Sequence, residues 1–123
     1  MQDDYGPVVF LVNFPEYTHP FWNMRRDPAT GLAKKCDVIV GGREAAGSAE
    51  RETDKDVMRN RFKTIEHGNY AQKLYDTYGQ DVVDAEMDQY LDGHDFFVRS
   101  GAGLGITRIL QAAHEHGLLK DLQ

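Results

Sequence analysis

Three sets of residues have types and spacings that could do chemistry. The first is Gly101-Ala102-Gly103-Leu104-Gly105-Ile106-Thr107-Arg108. Alternating glycines carry no Cβ, so another backbone or a flat ligand can approach them closely. Arg108 falls in what reads as the first turn of a helix, where the partial positive charge of the helix end disfavours a cation. An anion or an aromatic face would account for it; a glycine-rich turn with a solvated arginine is the other reading. The pattern is neither G-x-G-x-x-G nor G-x-x-x-x-G-K-[ST], so Rossmann and P-loop sites are not indicated. The second set is Asp37 and Glu44, on either side of Gly41-Gly42. A hairpin there puts two carboxylates on neighbouring strands, an arrangement suited to Mg²⁺ acting through phosphates. As plain exposed strand residues they would hold nothing. The third is Arg51, whose planar fork suits an anionic group; an ion pair with Glu50 or Glu52 is its alternative. Glu44 and Arg51 have opposite parity on a regular strand, and a bulge at Gly47-Ser48 would bring them to one face. His19 has no nucleophile or metal set beside it in sequence and reads as a positioning or surface residue. His67, His94, His114 and His116 share no metal-ligand spacing.

The elements that must position these groups follow from pattern. Pro7–Phe14 is a continuous apolar, β-rich run and predicts a buried strand. Phe21–Met24 predicts a second strand, turned by Asp27-Pro28-Ala29-Thr30-Gly31. Cys36–Val40 and the stretch from Arg43 predict a hairpin. Thr53-Asp54-Lys55-Asp56 matches a capping box, and Val57, Met58, Phe62 and Ile65 trace the inner face of a helix ending by Gly68. Tyr70, Leu74 and Tyr78 predict another helix closed by Gly79, and Val83, Met87, Tyr90 and Leu91 a third closed by Gly93. Phe96-Phe97-Val98 predicts a short buried strand leading into the glycine run. Ile106, Ile109, Leu110 and Ala113 then recur on one helical face. With no early βαβ alternation, the fold class expected is α+β: an antiparallel sheet with helices on one side.

Composition narrows the classes. The 123 residues suffice for one domain with a modest core. A formal charge of −6 argues against a broadly basic nucleic-acid surface. A single cysteine, Cys36, cannot form an internal disulfide and fits a reducing compartment, so a cytoplasmic location is expected. No apolar run approaches a membrane span, and the N-terminus carries no basic signal-peptide region.

Four stretches in this order resemble one family, the class II aminoacyl-tRNA synthetases of the aspartyl/asparaginyl branch, with their archaeal asparagine synthetase-like paralogues. Gly101–Arg108 resembles class II motif 3. Phe14-Pro15 through Pro20-Phe21-Trp22-Asn23-Met24 resembles the Y-P…R-P-F-Y-x-M segment. Asp37, Glu44 and Arg51, with Gly47 between, resemble the D-x6-E-x6-R framework. Glu50-Arg51-Glu52 is closer to the asparaginyl and asparagine synthetase-like members. The resemblance spans roughly Pro7 to Ala113.

It implies roles. Arg108 would lie against the adenine and γ-phosphate of ATP. Gly101, Gly103 and Gly105 would belong to the nucleotide site. Asp37 and Glu44 would hold Mg²⁺ between phosphates, and Arg51, Ser48 and Gly47 would line the amino-acid pocket. The implied chemistry is attack of an aspartate or asparagine carboxylate on the α-phosphate of ATP. The acyl adenylate then passes to tRNA, or to ammonia in the asparagine synthetase-like relatives. Thr107 stands where the family usually has an acidic residue, Arg99 where the branch often has histidine, and His19 where it usually has Arg or Lys. Counterparts of motifs 1 and 2 and of an OB-like anticodon domain do not occur in the chain, so it resembles the C-terminal half of a catalytic domain. Three expectations follow. It is part of a complete ligase and incomplete alone; it is a truncated paralogue binding ATP or an adenylate; or it is an interaction module. A sheet edge left open by the absent motifs also predicts a homodimer or strand exchange.

Overall fold

The computed structural model describes residues 2–18 and 22–119. A short helix, α1 (Gln2–Tyr5), leads into β1 (Val8–Phe14), β2 (Ala33–Val40) and β3 (Arg43–Glu50). Three helices follow: α2 (Lys55–Thr64), α3 (Asn69–Tyr78) and α4 (Gln80–Asp92). The chain closes with β4 (Ser100–Leu104) and α5 (Ile106–Glu115). The four strands pair antiparallel in the order β1-β2-β3-β4. This is the α+β class expected from pattern.

The hairpin turn sits where Gly41-Gly42 put it. Both glycines have positive φ, +56° and +78°, as a two-residue turn matched to strand twist requires. β3 runs unbroken through Gly47 and Ser48. Its irregularity comes earlier: Val38 pairs with Ala46 and Ile39 with Glu44, so Ala45 is the extra residue. The expected bulge therefore exists three residues before Ser48.

Other expectations are corrected. Trp22 and Asn23 form a turn, and Met24 makes an isolated bridge to Arg51 rather than starting a strand. His19, Pro20 and Phe21 lie outside the described residues. Phe96-Phe97-Val98 is not a strand; Phe97 and Val98 are exposed, and pairing with β3 begins at Ser100. Phe96 instead packs edge-on against Tyr90, 5.6 Å between centroids, so its apolar surface is used locally. The cap of α2 is Asp54, not Thr53: its carboxylate accepts from the Asp56 and Val57 amides, a contact worth about 1 kcal/mol.

The core is small. Met58, Phe62, Ile65 and Leu91 are buried, as the helical periods predict. Trp22 stacks edge-on against Phe62 at 5.7 Å and binds the β1–β2 connection to the helices. Arg61 reinforces the same seam, donating to the Met24 carbonyl and to Glu52. The apolar face of α5 departs from expectation: Ile106, Ile109 and Leu110 are exposed while Ala112 is buried. Arg43 and Glu115 pair at 3.0 Å and hold α5 to the hairpin. No described helix is long and apolar enough to cross a membrane.

Candidate functional site on the sheet face

Pairing fixes which residues share a face. Gly47 stands opposite Gly103, and Ala49 opposite Gly101. Directly opposed residues point the same way and alternate along each strand, so these four share one face. A Cβ built on Gly47 would lie 3.0 Å from both an Asp37 Oδ1 and a Glu44 Oε1. The two carboxylates thus converge over Gly47. The bulge at Ala45 is what turns Glu44 to this side. A Cβ on Gly101 would lie 2.9 Å from an Arg51 terminal nitrogen, so the guanidinium rests directly on that glycine. Asp37, Glu44 and Arg51 therefore stand on one surface with the glycines beneath them.

Arg51 forms none of the ion pairs its neighbours offer. Glu50 pairs with Arg25 at 2.9 Å and with Lys34 at 3.6 Å, and Glu52 pairs with Arg61 at 3.1 Å. Burial lowers the affinity of Arg61 for its proton, with Arg26 adding to the effect and Glu52 opposing it. Among the described residues the Arg51 side chain makes no hydrogen bond or ion pair. A free planar fork on a glycine floor has a shape suited to receiving an anionic group.

Arg108 folds back across Gly105 and donates to the Glu44 carbonyl at 2.8 Å. The Gly105 amide donates to the Ala45 carbonyl at 2.8 Å. These bonds fasten the start of α5 to the start of β3. Between them lies a cleft of about 310 Å³ lined by Glu44, Gly47, Gly103, Gly105 and Arg108 with their strand neighbours. Among the described residues, its two chain neighbours aside, no atom lies within 4 Å of where a Cβ on Gly103 would stand, so its face is open.

Two placements differ from expectation. Ser48 alternates with Gly47 and belongs to the opposite face, where its hydroxyl donates to the Cys36 carbonyl at 3.3 Å. It does not line one surface with Arg51. Asp37 is buried and closely paired with Lys35, whose ammonium also lies 4.3 Å above the Phe14 ring. Sequence reasoning missed Lys35. Its i, i+2 relation to Asp37 on a strand was the available signal.

Among the described residues no group of three or more His, Cys, Asp or Glu side chains gathers as a metal site. The Asp37–Glu44 cradle over Gly47 is still a hard-oxygen pair, and Mg²⁺ commonly takes one or two carboxylates with phosphates completing its shell. The donor set fits on that basis.

The chain also resembles known proteins. Residues 1–121 match the family of class II tRNA synthetases (D, K and N). The chain is 30% identical over 108 residues to an aspartate–tRNA(Asp) ligase of Pyrobaculum aerophilum, covering 88% of this chain and 22% of that protein. The fold matches asparaginyl-tRNA synthetase of Entamoeba histolytica in complex with asparaginyl-adenylate, with a TM-score of 0.64 at 19% identity, covering 90% of this chain and 23% of the other. It also matches asparaginyl-tRNA synthetase of Pyrococcus horikoshii, with a TM-score of 0.60 at 21% identity, covering 91% and 24%. The chain spans about a fifth to a quarter of the length of these relatives.

Proposed function

Because the chain belongs to the class II tRNA synthetases of the D, K and N group, we propose that its sheet face is the nucleotide and amino-acid half of an aspartate- or asparagine-activating site. The observation that carries this reading is the convergence of Asp37, Glu44 and an unpaired Arg51 over Gly47 and Gly101, beside the cleft that Arg108 borders. In this reading the adenine lies on Gly103 and Gly105. Arg108 stacks on it and meets the γ-phosphate, the carbonyl of Glu44 holding the guanidinium in place. Arg51 receives the polar end of the amino-acid side chain. Gly47, having no side chain, leaves room for the Asp37 and Glu44 carboxylates above it.

Asp37 and Glu44 would hold Mg²⁺, which neutralises phosphate charge when bound. Lys35 pairs with Asp37 and fixes the position of its carboxylate. The reaction is adenylyl transfer: an oxygen of the amino-acid carboxylate attacks the α-phosphorus of ATP, and pyrophosphate leaves. Catalysis of this kind rests on alignment and on charge placed where it develops, and no protein nucleophile is needed. The 123 residues would contribute one part of a catalytic domain that works in the cytoplasm, with tRNA engaged only through the complete enzyme. A homodimer or strand-exchanged pair would cover the open strand edges. Transfer of the adenylate to ammonia is the alternative outcome for the same site. Binding without turnover is the other, in a paralogue that serves as an adenylate-binding or interaction module.

Equilibrium dialysis with labelled ATP and Mg²⁺ tests the nucleotide half. Retention by the wild type that falls about tenfold in Arg108→Ala is expected, a loss the size of one charge-assisted contact. Equal retention by both proteins would contradict the assignment of Arg108.

A further inference from the structure

A second concavity, of about 500 Å³, lies among the helices and shares no residue with the sheet-face cleft. Two parallel stripes wall it. α3 contributes Tyr70, Leu74 and Tyr78, and α4 contributes Val82, Glu86 and Tyr90. Each stripe runs i, i+4, i+8, so the groove extends about 12 Å along the helices. Its lining is almost wholly apolar and includes Trp22. Tyr78 is 64% exposed and Val82 54%, so one end opens to solvent.

The charge along α4 is one-sided. From Leu74 to Val98 the sequence has seven acidic residues and no Lys or Arg; the rest of the chain has 13 acidic and 14 basic residues. The negative excess is therefore concentrated on the second half of α3, on α4 and on the stretch after it; Lys73 of α3 and the groove residues Trp22, Phe62 and Tyr70 lie outside that segment. Asp88 and Asp92 pair with Arg59, and Asp84 accepts from the Tyr75 hydroxyl. Asp81 and Glu86 make no hydrogen bond or ion pair among the described residues. Nucleic acid has the wrong sign for this surface.

We propose that the α3–α4 groove docks a basic amphipathic helix of a partner protein. An apolar stripe two turns long is the shape that receives a helix through side chains at i, i+3/i+4 and i+7. Glu86 within the groove and Asp81 near its open end meet flanking Lys or Arg residues. The tyrosine faces add cation–π contacts to those same cations. The groove's length, twice that of a single turn, favours a helix over a compact ligand. This inference does not depend on the sheet-face site.

Trp22 is the only tryptophan of the chain and lines the groove, so its fluorescence reads occupancy directly. The full chain is titrated with a synthetic helix of about four turns, leucines along one face and lysines elsewhere. A counterpart with Glu for Lys and a shuffled peptide of the same composition serve as controls. A saturable change with the basic amphipathic peptide is expected, weakening as salt is raised, with both controls about tenfold weaker. Glu86→Lys, and independently Tyr78→Ser, should weaken binding about fivefold with an unchanged thermal transition. No saturable change, equal binding of a control peptide, or indifference to both substitutions would overturn the proposal. A response to benzylamine without one to the peptide would give the groove to a small organic cation instead. A response to concentrating the chain alone would give it to a second copy.

Discussion

Gly101 and Gly103 lie two residues apart on β4 and face the same way, yet they do different work. A side chain at Gly101 would collide with the Arg51 guanidinium, the movable end of a flexible chain. Gly101→Val is therefore expected to displace Arg51 and to weaken amino-acid or adenylate binding about tenfold, while the free protein's melting temperature stays within a few degrees. Parallel calorimetry and thermal unfolding would check both halves; a large loss of stability with unchanged binding would contradict this reading. Arg51 was legible as a candidate by its residue type. Its freedom was not, because Glu50 and Glu52 beside it could have paired with it. They are taken by Arg25, Lys34 and Arg61, partners distant in sequence. Ser48 was misplaced for the opposite reason: adjacent residues on a continuous strand cannot share a face.

At the level of elements, turn glycines and the helical period of α2 were the best guides, whereas the apolar run of β1, expected to be buried, is a strand whose side chains are largely exposed. Gly41-Gly42 marked the hairpin, Gly79 and Gly93 closed the helices, and the period of Met58, Phe62 and Ile65 gave the buried face of α2. Boundaries that depend on a distant partner were less legible. β4 begins at Ser100 because Glu50 is its pairing partner, and nothing local to Phe96–Val98 announces that. The apolar face of α5 was visible, but periodicity says which face is apolar and not what covers it. The seam between β1–β2 and α2 rests on Arg61 and the buried Glu52. Arg61→Ala strands that carboxylate and is expected to cost about 3 kcal/mol, measured by urea unfolding. A loss within experimental scatter would mean that the two Thr53 and Asp54 amides donating to Glu52 suffice for it.

Across the whole molecule, the described sheet has two open edges, and apolar side chains lie along both sides of it. Val8, Phe10 and Val12 are 48%, 64% and 57% exposed on β1, and Leu104, Ile106 and Leu110 are 64%, 60% and 51% exposed on β4 and α5. Unpaired edges of this kind favour pairing with another chain. Light scattering should show a mass that rises above the monomer with concentration; a monomeric mass throughout would contradict association. The sheet-face site itself depends on the same architecture, since it is assembled from β2, β3, β4 and the first turn of α5. Its most direct test uses Gly103, whose Cβ position is open among the described residues. The chain and its Gly103→Val variant are titrated calorimetrically with a non-hydrolysable aspartyl- or asparaginyl-adenylate analogue. Binding by the wild type, reduced at least about tenfold in the variant at equal thermal stability, is the result expected if the adenine lies on that glycine. Equal binding by the two folded proteins, or none by either, would contradict it.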